Sequence, residues 1–246
     1  MRSRTIIIFL TLSLAITTVV NAVAQPNMSA DIQNMHLWRG MEVADGVVVT
    51  TDVSVSDSKD RFTVGVWGGM NSTGSYKEFD YYFSYTHNRV KFLLWDIYNF
   101  SPNAEYNNSD IFNYKPDRSG RFIDATIAYT VSDKFPLLLS WSTIIFGRDR
   151  DEDNLENRYS TYCSVEYPIY RYDKWCCDVS VGGGFALNTS NGVNFYSDKG
   201  GILEAKIKLT YDLKIRNHTM PISTAVMWNP QSGDGFMQLG VQVFSF

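Results

Sequence analysis

The chain has 246 residues, a formal net charge of −4 and no basic cluster. This balance argues against nucleic acid as a partner, because binding to phosphates needs concentrated lysine and arginine. Hydrophobic residues make up 44% of the chain. After residue 24, however, no run approaches the ~20 apolar residues that a membrane helix needs, so the sequence excludes a helical membrane protein.

The amino terminus has the parts of a secretory signal peptide in the usual order. Arg2 and Arg4 precede an apolar run over residues 6–20, and Ala22-Val23-Ala24 supplies a cleavage site. We therefore predict a signal peptide over residues 1–24 and export of the mature protein.

The mature chain is predicted to be a short periplasmic leader, residues 25–34, followed by one domain of β-strands, residues 35–246. The clearest strand, residues 204–215, alternates without a break between polar and apolar side chains. A period of two residues is typical of a strand with one polar and one apolar face. Similar segments recur, and we predict about twelve strands, at roughly 35–42, 47–56, 61–70, 78–87, 90–100, 121–131, 136–146, 158–168, 175–187, 202–215, 221–228 and 235–246.

The connections between these segments alternate in length. Long ones, such as residues 101–120 and 188–201, alternate with tight ones, such as Asn88-Arg89. Outer-membrane barrels have long external loops and short periplasmic turns, and an even strand count places both termini in the periplasm. The pattern predicts an all-β fold, a transmembrane antiparallel up-and-down β-barrel of about twelve strands in a bacterial outer membrane.

Two details of this barrel can also be predicted. The first connection is expected at Ala44-Asp45-Gly46, because Asp-Gly is a strong turn signal. In the last strand, Gln242 interrupts the apolar set that Phe244 and Phe246 define. An extra residue in a strand shifts side chains to the other face, so we predict either a β-bulge or a different register in the last strand.

The three cysteines cannot all pair, although export permits disulfides. If Tyr167 lies opposite Trp175 across the turn, Cys163 lies opposite Val179, away from Cys176-Cys177. We predict three free thiols. No histidine or second cysteine pair accompanies them, so no metal site and no cofactor is predicted.

Three blocks near the start of the mature chain are distinctive: Trp38-Arg39-Gly40 on the first predicted strand, Val64-Gly65-Val66-Trp67-Gly68 on the third, and Glu78-Phe79-Asp80-Tyr81-Tyr82 on the fourth. In order and spacing they resemble the opening of a family of uncharacterised bacterial outer-membrane β-barrel proteins. The family tends to carry a small polar residue after Trp67, where this chain has Gly68-Gly69-Met70. The resemblance implies an outer-membrane location and no assigned activity.

The polar face of the strands predicts a charged barrel interior. Its predicted lining residues are Asp52, Asp80, Asp124, Asp178, Glu204, Lys206, Lys208 and Asp212. Unpaired charges in a narrow interior are costly, which favours a plug of ion pairs in a closed tube. Alternatively, carboxylates could form a selectivity lining for a small solute or a cation.

Two other classes of protein compete with the pore. A lipid-modifying outer-membrane enzyme would need a base near the long loops, whereas His36, His87 and His218 are predicted near the short turns. A soluble secreted β-sandwich binding module would show the same strand rhythm. The alternating Asp149, Asp151 and Asp153 suggest calcium, but the residues that follow depart from the EF-hand pattern.

We therefore predict a porin-like narrow pore or a structural subunit of the outer membrane, with no catalysis. Its expected partners are outer-membrane lipid and lipopolysaccharide. Small solutes or cations, and other outer-membrane proteins, are further candidates.

Overall fold

The computed structural model describes residues 25–102, 104 and 109–245. Within those residues the chain forms twelve strands in a closed barrel, each antiparallel to its neighbours, with the first strand paired to the last. This confirms the predicted fold class and rules out a sandwich of two sheets. The predicted signal peptide lies outside the described residues. The strands are β1 Gln25–Trp38, β2 Met41–Ser56, β3 Phe62–Asn71, β4 Lys77–His87, β5 Val90–Asn99, β6 Arg121–Thr130, β7 Leu138–Gly147, β8 Ser160–Tyr172, β9 Trp175–Ala186, β10 Gly201–Ile215, β11 His218–Trp228 and β12 Gly235–Ser245.

In the part of the chain that the structure describes, no helix is long and apolar enough to cross a membrane.

The two-residue period separates the outer face of the barrel from its lumen. On β10, Ile207 is 46% exposed, whereas Glu204 is only 5% exposed. The same division holds around the wall, where large apolar side chains are exposed on every strand. They include Met28, Val53, Val64, Phe83, Phe92, Ile127, Trp141, Val165, Val181, Ile222 and Leu239. A continuous apolar outer face is the pattern of a barrel surrounded by lipid.

The two ends of the barrel differ in their connections. One end carries only short connections, among them residues 88–89, 173–174 and 216–217. The other end carries the long loops 100–120, 148–159 and 187–200. β1 begins and β12 ends at the short-turn end, because Gln25 pairs with Ser56 and Ser29 pairs with Ser245.

The first hairpin differs from the prediction in two respects. Residues 25–34 are not a leader: they belong to β1 and pair with β2, and Ser29 to Gln33 also pair with β12. The turn lies at Arg39-Gly40, not at residues 44–46, and Trp38 pairs directly with Met41. Both turn residues have positive φ, 49° and 82°, as a two-residue type I′ turn requires.

The shifted turn lengthens this hairpin beyond the barrel wall. β1 stops pairing with β12 after Gln33, and β2 pairs with β3 only from Val48 onward. Residues 35–46, which we call the inserted hairpin, therefore pair only with each other in the sheet ladders.

The irregularity predicted in the last strand is present. Phe244 pairs with Ala30, whereas Gln242 pairs with the next residue, Asp31. Val243 is the extra residue, so β12 contains the predicted bulge.

Candidate functional site: the lumen and its inserted hairpin

The inserted hairpin crosses the lumen to the opposite wall. Its tip residue Arg39 donates from two guanidinium nitrogens to the two carboxylate oxygens of Asp124, at 2.6 and 2.9 Å. Asp124 is on β6, about halfway around the twelve strands from β12 and β1, and is only 1% exposed. A bidentate arginine–carboxylate pair fixes orientation as well as distance. The hairpin tip therefore has a defined position inside the barrel.

The second tip residue, Gly40, fits only because it has no side chain. A Cβ at Gly40 would overlap the backbone carbonyl of Leu203, and the positive φ there is one that glycine tolerates best. Leu203 is the extra residue of a bulge in β10, since Ile202 pairs with Gly183 and Glu204 with Gly182. The amide of Asn229 also donates to the Gly40 carbonyl, at 3.0 Å.

Where the hairpin leaves the wall, side chains replace the lost ladder bonds of β12. Asn34 donates to the carbonyl of Met237 at 3.0 Å and accepts from the N–H of Leu239 at 2.7 Å. Gln238 donates to the carbonyl of Met35 at 2.9 Å and to the side-chain oxygen of Gln33 at 2.8 Å. Backbone groups that lose their ladder bonds need such partners, and the Asn34 side chain supplies them to Met237 and Leu239 while the hairpin points inward.

Aromatic side chains hold the tip from the sides. The ring centroid of Trp38 lies 6.0 Å from that of Phe122 and 5.6 Å from that of Tyr196. Arg39 lies 4.6 Å from the Trp38 ring and donates to the Tyr196 hydroxyl at 2.7 Å. On β8, Tyr162 occupies the space that a side chain on Gly182 would fill. A glycine of β9 thus allows a bulky lumen residue to approach.

Two long loops close over this cluster. The loop 187–200 carries Tyr196 inward, and its Phe195 N–H donates to the Ser160 hydroxyl at 2.8 Å. The N–H and hydroxyl of Ser160 donate in turn to Asp149, at 2.7 and 2.8 Å. Burial raises the pKa of Asp149, and the hydrogen bonds from Ser160 oppose that shift. Asp149 thus joins the two loops instead of facing solvent as a calcium ligand would.

The inserted hairpin leaves a cavity on each of its faces. The larger cavity, about 510 Å³, lies against β3 to β6. The smaller cavity, about 290 Å³, lies against β8 to β12. Trp38 and Arg39 contribute to the lining of both, so the hairpin divides the lumen at this level.

The predicted lining residues fall into three groups. Asp80 and Asp124 line the larger cavity. Glu204, Lys206 and Lys208 line the smaller one.

Within the smaller cavity, Lys206 lies 2.8 Å from Glu204, which also accepts from Ser180 at 2.7 Å. Asp52, Asp178 and Asp212 lie nearer the short turns: Asp52 accepts from Tyr82 at 2.9 Å and Asp178 from Arg171 at 2.9 Å, while Asp212 is half-buried.

Several charged residues were missed from the sequence. Arg39 was recognised only as part of a motif, yet it is the partner of Asp124. Arg121, almost fully buried at the start of β6, is out of phase with the lumen residue Asp124 and pairs with Asp96 on the outer side of the wall. Glu78 shares the inward face of β4 with Asp80, and the alternation could have identified it.

The residues that carried the family resemblance gather around the inserted hairpin. Trp38, Arg39 and Gly40 form its tip region, and Trp67 pairs with Asp80 on the adjoining wall. Tyr82 follows on β4, and its ring stacks on Trp95 with centroids 4.5 Å apart.

The histidines are placed as predicted in two cases and differently in one. His87 and His218 adjoin short turns. His36 does not: it lies in the inserted hairpin, with its ring 5.6 Å from Trp67 and 5.8 Å from Tyr76. The His36 ring nitrogen also lies 3.4 Å from the side-chain nitrogen of Gln33, so the histidine is packed among side chains of the hairpin and the wall.

Possible metal ligands are dispersed or already bonded. Asp151 accepts from the N–H groups of Leu155 and Glu156, at 2.7 and 3.0 Å. No group of three His, Cys, Asp or Glu residues within the described ranges could hold a metal ion. The three cysteines are free thiols, as predicted, although Cys163 pairs with Gly183 and not with Val179.

Neither a family model nor a curated protein sequence matches the chain. Among solved structures, the barrel is similar to one from a study of the in-meso crystallization of membrane proteins. The TM-score is 0.50 and the sequence identity 9%, over 90% of this chain and 83% of that one. An outer-membrane channel from Pseudomonas putida F1 has a TM-score of 0.44 at 12% identity, over 88% and 93%. A BenF-like porin from Pseudomonas fluorescens Pf-5 has a TM-score of 0.34 at 10% identity, over 87% and 58%. At such low identity, the similarity to the first of these concerns the fold alone.

Proposed function

We propose that the protein is a bacterial outer-membrane barrel that forms a narrow solute pathway, closed in this conformation by the inserted hairpin, and that it performs no catalysis. The observation that carries the proposal is the ion pair between Arg39 and Asp124, which holds the hairpin across the lumen. The outer face supports the membrane location, because its exposed side chains are apolar on every strand.

The orientation follows from the two ends of the barrel. In outer-membrane barrels the short turns and both termini face the periplasm, and the long loops face outward. We therefore place Gln25 and Ser245 in the periplasm and the loops 100–120, 148–159 and 187–200 at the cell surface. Those loops would meet lipopolysaccharide.

The hairpin is suited to act as a gate because its movement need not open the wall. The barrel is closed by the pairing of Ser29 to Gln33 with β12 and of Val48 to Ser56 with β3. Both sets of bonds lie outside residues 35–46. Release of the hairpin would cost the contacts at its tip but would leave the wall ladder intact, and the half of the lumen near the long loops would then be wider.

Buried ion pairs favour one position more than they add stability, because desolvation offsets much of their attraction. The pair between Arg39 and Asp124 therefore specifies where the hairpin docks. Twelve strands give a bore between that of the filled eight-stranded barrels and that of the wide porins, so removal of a hairpin from it would open a narrow passage only.

The test is single-channel recording in planar bilayers. The wild-type protein should show small and rare openings, and Arg39→Ala and Asp124→Asn should each raise the open fraction at least several-fold. Arg171→Ala, which breaks an exposed pair near the short turns, is the matched control and should behave as wild type.

Absence of current in every variant would overturn the pathway and leave a structural subunit. Equal conductance in wild type and Arg39→Ala would overturn the gate. Fractionation and heat-dependent gel mobility test the membrane barrel itself, which fails if the protein is extracted without detergent.

A further inference from the structure

We propose that the larger cavity is a binding site for a small organic cation, an ammonium or guanidinium group attached to an apolar body. The proposal depends on the proposed pathway only for the route by which the cation arrives, and not for its binding.

The apolar part of the argument is the concentration of tryptophan. The chain contains six tryptophans, and three of them, Trp38, Trp67 and Trp95, line this cavity. They come from three different elements, the inserted hairpin, β3 and β5. Tryptophan is the aromatic residue that binds cations most strongly through its ring face.

The polar part is an excess of acid. Four carboxylates line the cavity, from Glu42, Glu78, Asp80 and Asp124, against the two guanidinium groups of Arg39 and Arg148. Arg39 is already paired with Asp124. Arg148 lies at the loop end, 5.1 Å from the ring of Phe122, and its charge acts on Glu78.

Asp80 is then the centre of the site. It is buried, and its hydrogen bond comes from a neutral donor, the N–H of Tyr98 at 3.1 Å. Trp67 is its direct partner in the ladder between β3 and β4, so the carboxylate and the indole point into the lumen side by side. A buried carboxylate next to an aromatic residue is a combination suited to an alkylammonium group, because the carboxylate neutralises the ion and the ring covers its methyl groups.

The size and access of the cavity agree with such a ligand. Its volume of about 510 Å³ lies within the roughly 300–1,000 Å³ that small-molecule sites occupy. It extends along β4 and β5 from the Glu78–Asn99 pair at the loop end to Leu93, deeper in the barrel. Glu42, on the hairpin side, is exposed and would meet an entering cation first. The acid excess disfavours an anion of the same size.

The experiment is a titration of the purified full-length protein in detergent with benzyltrimethylammonium, followed by tryptophan fluorescence and calorimetry. Benzoate is the anionic comparison. Saturable binding of the cation, with at least tenfold weaker binding of benzoate, is expected. Asp80→Asn and Trp67→Leu should each weaken cation binding about tenfold or more, whereas Asp178→Asn, on the far side near the short turns, should leave it unchanged.

Equal binding of cation and benzoate, or unchanged binding in both Asp80→Asn and Trp67→Leu, would overturn the site. If heat-dependent gel mobility shows that Asp80→Asn does not fold, the test is made with Trp67→Phe, which keeps an aromatic ring. Trp67→Phe should bind the cation more tightly than Trp67→Leu. Binding without any bilayer current would leave the cation site and remove the pathway. Bilayer current without cation binding would keep the pathway and remove the cation site.

Discussion

The lumen has two halves with the same sequence pattern and different packing. In the half near the long loops, the predicted lining residues Asp80, Asp124 and Glu204 are all buried. In the half near the short turns, Asp178 and Asp212 are only half-buried. Both sets alternate with apolar neighbours in the same way, so the difference comes from the inserted hairpin, which fills one half and leaves the other open.

This difference shows in which half the pairing of charges matters most. A carboxylate removed from water needs a partner, and Arg39 supplies one to Asp124 while Lys206 supplies one to Glu204. A carboxylate that keeps contact with water does not need one. The predictions below test whether burial under the hairpin, and not charge itself, makes the two halves unequal.

The largest effect is expected from breaking the buried pair. Asp124→Ala leaves the Arg39 guanidinium uncompensated, which costs about 3–5 kcal/mol in comparable buried pairs. The hairpin should undock. Amide hydrogen exchange in residues 35–46 should accelerate strongly, while exchange in the paired wall residues 48–56 stays slow.

The control is the double variant Arg39→Met/Asp124→Leu, which removes both charges and keeps apolar volume. It should recover most of the lost protection, because replacing a whole buried pair is often neutral. If Asp124→Ala left exchange in residues 35–46 unchanged, the ion pair would not determine the position of the hairpin.

An intermediate effect is expected at the turn. Gly40→Ala places a methyl group against the Leu203 carbonyl and imposes a positive φ on a residue with a side chain. Such backbone strain costs about 1–3 kcal/mol before the overlap is counted. Faster exchange of residues 35–46 and more frequent channel opening should follow.

Gly46→Ala is the matched control for that variant. Gly46 also has a positive φ, 78°, but the nearest atom to an added Cβ is the Ser72 hydroxyl at 3.8 Å. Gly46→Ala therefore has the same cost of a positive φ as Gly40→Ala, but it has no overlap with a neighbouring atom. Equal effects of the two variants would show that the fit of Gly40 against β10 is unimportant.

The turn also marks the limit of what the sequence could predict. The strands, the inward and outward faces and the bulge in β12 follow from a local period of two, and nearly all were predicted. The turn at Arg39-Gly40 was not, because Asp45-Gly46 carries the stronger turn signal. Moving the turn leaves the alternation of polar and apolar residues unchanged, so this pattern cannot locate the turn.

The insertion of the hairpin could not be predicted from local patterns at all. Its contacts join residues far apart in the chain: Arg39 and Asp124 are 85 positions apart, and Gly40 and Asn229 are 189 apart. A polar strand that faces water in a lumen and a polar strand that fills the lumen have the same alternation. Only the tertiary contacts distinguish them.

The smallest effect is expected from the ion pair in the open half. Arg171 and Asp178 lie 2.9 Å apart, but their side chains are 60% and 19% exposed, against 13% and 1% for Arg39 and Asp124. Exposed pairs contribute about 0–1 kcal/mol, since water screens the charges and ordering the side chains costs entropy. Arg171→Ala should therefore change the urea midpoint of the barrel in lipid vesicles very little.

The two pairs can be compared because each joins an arginine to an aspartate and they differ greatly in depth. Without Arg171, Asp178 keeps the Cys176 thiol as a donor at 3.0 Å and contact with water, so no buried charge is left alone. Asp124 has no such access to water under the hairpin. A loss of stability for Arg171→Ala as large as that for Arg39→Ala would mean that burial does not distinguish the two halves. A small loss of stability in Arg171→Ala, together with undocking of the hairpin in Arg39→Ala, would show that charges stabilise the protein mainly in the half that the hairpin fills.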